Sequence, residues 1–105
     1  MSNIKTLKEI QKVINEWIHK HGGYWPPLSM LSAIIEEIGE VAREINHLEG
    51  FKPKKIKKSE SNLGEELADL FFSIICLANN YNIDLEQELY RVLEKFSNRD
   101  DKRFT

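Results

Sequence analysis

Two runs of carboxylates are the first sign of chemistry in this sequence. Successive residues on a helix turn by about 100°. Glu37, Glu40 and Glu44 therefore share one stripe with Glu36 at its edge, and the stripe borders the apolar face of its helix instead of opposing it. A second stripe holds Glu66, Asp69, Ser73 and Asn80, cut into Leu67, Ala68, Leu70, Phe71, Phe72, Ile74, Ile75 and Leu77. Like charges at these spacings repel, and burying unpaired carboxylates costs on the order of several kcal/mol per ion. A divalent cation removes the conflict. Residues three apart lie on adjacent turns of one face, so a Glu-x-x-Glu and a Glu-x-x-Asp on facing helices converge on one point, as in carboxylate metal sites within helix bundles. All-oxygen ligands suit Mg²⁺ or Mn²⁺ far better than zinc. Such an ion can hold phosphate oxygens and lower the pKa of a bound water. Taken alone, the first run reads equally well as a solvated acidic face. The second resists that reading, because its helix is too apolar for the surface.

Four helices must position these groups, and no strand is expected. Thr6-x-x-Glu9 has capping-box spacing, and Leu7, Ile10, Val13, Ile14, Trp17 and Ile18 recur at helical intervals, predicting a first helix from about Thr6 to His19. Gly22-Gly23 and Pro26-Pro27 break the pattern. The second helix is predicted from about Leu28 to Leu48, stopping before Gly50. The third, from about Asn62 as a cap to Asn80, is apolar almost all the way round and is expected to be central and buried. A fourth starts at Asp84-x-x-Gln87 and is expected to end near Asn98, with a frayed polar tail from Asp100 to Thr105. The lysine-rich stretch from Gly50 to Lys58 reads as an exposed loop.

Other residues admit two readings. Arg91, Lys95 and Arg99 align on one helical face, either as a triphosphate clamp or as cations favourably placed near a helix C-terminus. Tyr24 and Trp25, flanked by the glycine and proline pairs, can stack on a nucleobase or pin the loop to the core. Trp17 is expected in the core. His19, His21 and His47 share neither a face nor a ligand spacing and are assigned to surface or loop positions. Cys76 reads as a small apolar filler.

Bulk properties narrow the field. The chain has 105 residues, which fits a single domain spanning 1–105. It is short for a self-sufficient core, which favours self-association. A net charge of −2 argues against broad binding to nucleic acid polymers. The lone cysteine forms no internal disulfide, and a reducing, cytoplasmic setting is expected. No apolar stretch is long enough for a membrane span, and the N-terminus lacks the apolar core of a signal peptide.

The Glu36-Glu37-Ile38-Gly39-Glu40 run followed by Glu66-Leu67-Ala68-Asp69 resembles the Glu-Glu-x-x-Glu … Glu-x-x-Asp signature of the all-α NTP pyrophosphohydrolases. That superfamily includes MazG, the dimeric dUTPases, the dCTP pyrophosphatases and phosphoribosyl-ATP pyrophosphatase. The resemblance extends from about Leu28 to Arg103 and is strongest to short single-domain MazG-like proteins of the YpjD type. It implies an all-α, four-helix MazG-like bundle completed by oligomerisation, as a homodimer or homotetramer. It also implies cleavage of a nucleoside triphosphate between the α and β phosphates to NMP and pyrophosphate. Glu37, Glu40, Glu66 and Asp69 match the metal ligands, and Glu36, with Glu37, the catalytic carboxylates that orient the attacking water. Lys95 and Arg99 match a phosphate-binding pair. Housecleaning of non-canonical nucleotides is a role the resemblance suggests. The base-reading residues of members with assigned substrates have no clear counterpart here, so the chemistry carries over better than the substrate. The rival reading is a non-catalytic helical module that binds a nucleotide or a protein.

Overall fold

The computed structural model describes residues 5–50 and 62–104. Among them are four α-helices and no strand: α1 (Leu7–Lys20), α2 (Pro27–Leu48), α3 (Leu63–Asn80) and α4 (Leu85–Phe104). The expected all-α class is the observed one. The lysine-rich segment after Gly50, expected to be an exposed loop, lies outside the described residues.

Local chemistry sets the helix ends. At α1 the Thr6 hydroxyl accepts from the Glu9 N–H at 3.1 Å, while Glu9 accepts from the Thr6 N–H at 3.4 Å, a complete capping box. The helix stops where Gly22 and Gly23 adopt φ of 107° and 89°, a region costly for residues with a Cβ. Pro27 opens α2 at a position whose N–H has no intrahelical partner anyway. Asn62 makes no side-chain cap at α3, contrary to expectation. Its backbone N–H instead donates to the buried Glu44 carboxylate at 2.9 Å, so α2 ties down the start of α3. A carboxylate at a helix N-terminus is also favoured by the helix dipole. At the far end, Asn82 takes a left-handed φ of 55°, with Ile83 N–H on Ala78 O at 2.9 Å and Asn82 N–H on Asn79 O at 3.1 Å. This is a Schellman stop. Asp84 then caps α4, accepting from the Gln87 N–H at 3.1 Å. The helix continues past the expected end at Asn98 to Phe104, because no glycine or proline interrupts Asp100-Asp101-Lys102-Arg103.

The packing order is α2–α3–α1–α4. α3 packs most extensively on α2 and also on α1, while α4 leans on α1. α3 is thus central, as expected, but its burial is confined to its C-terminal half. Ile75, Cys76 and Ala78 are buried, and Leu67, Phe71 and Phe72 remain exposed. Two neighbouring helices cannot cover an element that is apolar on nearly every side. Trp17, expected in the core, is 51% exposed and stacks on His21. Gln11 is the polar keystone. Its amide donates to Asn79 Oδ1 and Ile83 O, both at 2.9 Å, and accepts from the Leu85 N–H at 3.0 Å. One buried side chain thereby joins α1, the end of α3 and the start of α4. No described helix is long and apolar enough to cross a membrane.

Candidate metal centre and adjoining cavity

The expected acidic stripes meet across α2 and α3. Carboxylate oxygens of Glu37, Glu66 and Asp69 all lie within 4.8 Å of one another. Two oxygens on opposite sides of a hard cation sit about 4–5 Å apart for metal–oxygen distances of about 2.1–2.5 Å. The three therefore fit such an ion with only small side-chain adjustments, and the absence of nitrogen or sulfur from the set favours a hard metal. Partial burial, followed by the charges of Asp69, Glu40, Glu37 and Glu65, pushes Glu66 above the ordinary carboxylate range. That is the electrostatic strain a cation relieves.

The other sequence candidates are placed differently. Glu40 is near enough for its charge to act on Glu66, but its carboxylate reaches Arg43 at 3.1 Å. Glu36 is exposed on α2. Glu44, on the same stripe, is buried and serves the start of α3. Lys95 and Arg99 are exposed on α4 and lie over the Phe96 ring at 5.0 and 4.7 Å. Arg99 also pairs with Asp100 at 3.2 Å, and Arg91 with Glu88 at 2.8 Å. α4 packs chiefly on α1, so within this chain the cations are not gathered onto the α2–α3 carboxylates.

Beside the carboxylates lies a cavity of about 390 Å³. Its walls come from α1 (Trp17, Ile18), the turn (His21, Gly23, Tyr24, Trp25), α2 (Met30, Ala33, Glu37) and α3 (Phe72, Ser73, Cys76). Glu37 belongs to both the cavity wall and the carboxylate cluster. The volume lies in the range of small-molecule pockets, and an apolar lining with few polar groups is typical of them. Tyr24 donates its hydroxyl proton to Asn15 Oδ1 at 2.6 Å, and burial raises its pKa above the usual phenol value. Trp25 stays 65% exposed at the rim. Burial pushes the Cys76 thiol up as well, so it is an uncharged wall residue and a poor nucleophile.

His47 departs from the surface assignment, whereas His21 is exposed in the turn after α1, as expected. His21 stacks on Trp17, with ring centroids 4.1 Å apart, and lines the cavity. Its spacing of four from Trp17, on one helical face, was the available signal. His47 is half-buried, and its Nδ1 finds no partner among the described residues. Ser73, on the acidic stripe of α3, also lines the cavity.

This fold and site define a class. The MazG nucleotide pyrophosphohydrolase domain matches residues 26–104, and the chain belongs to that family. It is 43% identical over 102 residues to the uncharacterized protein YpjD of Bacillus subtilis, covering 96% of this chain and 92% of that one. The crystal structure of Bacillus subtilis YpjD superposes with a TM-score of 0.81 at 43% identity, covering 91% of this chain and 98% of the other. The Bacillus-conserved MazG protein, a nucleotide pyrophosphohydrolase, gives a TM-score of 0.76 at 41% identity, covering 90% and 92%.

Proposed function

We propose that the chain hydrolyses a nucleoside triphosphate to NMP and pyrophosphate, dependent on Mg²⁺, with Mn²⁺ as a substitute. The observation that carries this reading is the convergence of Glu37, Glu66 and Asp69 beside an aromatic cavity that shares Glu37. Water adds to the α-phosphorus and loses a proton to solvent, the α–β anhydride bond breaks, and pyrophosphate leaves with the electron pair. Glu37, Glu66 and Asp69 would hold the cation, and Glu40, now paired with Arg43, would be a fourth ligand. When bound, the ion supplies charge neutralisation on the phosphates and a more acidic water. Glu36 and Glu37 orient the attacking water. Tyr24 and Trp25 flank the base. Lys95 and Arg99 neutralise charge on the phosphates, delivered from a neighbouring copy.

That last role requires self-association, which the exposed apolar faces support. Leu28 is 78% exposed, and Leu31, Ile35 and Ile38 on α2 and Leu89, Tyr90 and Leu93 on α4 are exposed too. Exposed apolar helix faces of this kind are characteristic of an interface. A homodimer or homotetramer is expected, acting as one MazG-like unit per chain in the cytoplasm on small nucleotides, including non-canonical ones, without a polymer or membrane partner. Light scattering at micromolar concentration checks this, and a folded, active monomer of 12.3 kDa opposes it.

Pyrophosphate release from a panel of NTPs and dNTPs, with and without Mg²⁺, tests the activity. Mg²⁺-dependent release from at least one triphosphate is expected. Nucleotide binding without release from any of them favours the non-catalytic binding module instead.

A further inference from the structure

Resting on the reading of the chain as a nucleotide pyrophosphohydrolase, we propose that His21 is a specificity-determining residue that accepts a hydrogen bond from the exocyclic amine of the base held in the cavity. The inference starts from one contact: His21 Nδ1 lies 2.7 Å from the Trp17 carbonyl oxygen. A carbonyl oxygen only accepts, so the ring proton sits on Nδ1, and the Nε2 of the neutral ring carries a lone pair. The ring is held twice, by this bond and by stacking on Trp17 at 4.1 Å and 25°. The ring is therefore held in one orientation at the exposed edge of the cavity wall.

Two neighbouring polar groups are acceptors as well. Tyr24 donates its proton to Asn15, and its oxygen, which also interacts with the Asn79 amide, can act toward a ligand only as an acceptor. Glu37 is a carboxylate. Among the lining side chains, the donors are the Trp17 and Trp25 indole N–H groups, the Ser73 hydroxyl and the weak Cys76 thiol. A base with an amino group finds a partner in such a wall. An oxo group at the same place sets its lone pairs against the His21 lone pair, which discriminates more strongly than apolar contact does.

Matched pairs isolate the amine. Cytidine and uridine monophosphates, and adenosine and inosine monophosphates, are compared by calorimetry on the full chain at pH 8. The corresponding triphosphates are compared by pyrophosphate release with Mg²⁺. The amino member of each pair is expected to bind about tenfold more tightly. His21→Phe keeps a ring on Trp17 but has no acceptor, and should bring the ratio close to one. His21→Gln, with an amide oxygen, should retain part of the preference. In the wild-type protein, ¹⁵N imidazole spectra should show Nδ1 protonated and an Nε2 shift with cytidine but not uridine monophosphate. Equal binding within each pair, no binding of any monophosphate, an Nε2-protonated ring, or a preference that survives in His21→Phe would overturn the proposal. Absence of pyrophosphate release refutes the enzymatic reading alone, because the monophosphate ratios and the imidazole spectra still decide the role of His21.

Discussion

The two halves of α3 obey opposite rules. Its C-terminal half is built for stability: Ile75 is 2% exposed, Cys76 and Ala78 are buried, and Asn79 is locked to Gln11. Its N-terminal half carries Glu65, Glu66 and Asp69 among exposed Leu67, Phe71 and Phe72, with Glu66 held away from its preferred charge state. One continuous helix thus ties a rigid anchor to an electrostatically strained end. The anchor fixes the direction in which Glu66 and Asp69 present themselves to Glu37. The strain is what a bound cation relieves. Functional sites commonly carry such unfavourable arrangements, held in place by well-satisfied structure next to them.

Removing a carboxylate from the strained end should separate activity from stability most sharply. Asp69→Asn is expected to lower Mg²⁺-dependent pyrophosphate release by roughly two orders of magnitude or more, since a neutral amide is a poor ligand for a hard cation. The metal-free variant should melt at the same temperature as the parent or higher, because the cluster has lost one repelling charge. Full activity would remove Asp69 from the ligand set. A collapse in the circular-dichroism melt would place Asp69 with the anchor instead.

The anchor should behave in reverse. Gln11→Ala strips partners from Asn79 Oδ1, the Ile83 carbonyl and the Leu85 N–H at once. Orphaned buried polar groups of this kind cost about 2–4 kcal/mol in total. Denaturant unfolding should show that loss in the midpoint. Metal-dependent turnover per folded molecule should change far less. Unchanged stability would mean that water substitutes for the Gln11 network.

These two sites differed in how readable they were from sequence. The carboxylates were legible because a three-residue spacing on a helix translates directly into a shared face, and two such pairs on successive helices have few other ways to be compensated. The capping box at Thr6 and Glu9 was legible for the same local reason. Gln11 was not, since its partners lie 68 to 74 residues away and nothing near it in sequence marks it as buried. The failed cap at Asn62 has a similar cause: Glu44, from the preceding helix, took over the start of α3. The surface position of His21 was legible, but not its contacts, which are set by the Trp17 ring face and carbonyl rather than by a ligand spacing. Trp17 shows the limit of periodicity, which identifies an apolar stripe but not whether one chain has enough helices to cover it.

The finest test of the contrast is the pH dependence of stability in the metal-free protein. The folded-state pKa of Glu66 is raised above its ordinary value of 4.5, chiefly by partial burial and then by Asp69, Glu40, Glu37 and Glu65. The folded protein therefore binds the Glu66 proton more tightly than the unfolded chain does. A raised folded-state pKa contributes stability that is fully present below the unfolded value and is lost as pH rises through the folded one. Metal-free wild-type protein should lose that contribution between the ordinary glutamate range and the raised pKa, and no more of it above. Glu66→Gln cannot titrate there. Its melting temperature relative to wild type should therefore rise across the same window and then level off, a small shift because the group is solvent-screened. Added Mg²⁺ should reverse the ranking, since a ligand that binds the folded state stabilises by mass action and the Gln variant binds it less well. A melting-temperature difference that is flat with pH in chelator, and unchanged by Mg²⁺, would take Glu66 out of the strained end and leave Glu37 and Asp69 as the coupled pair.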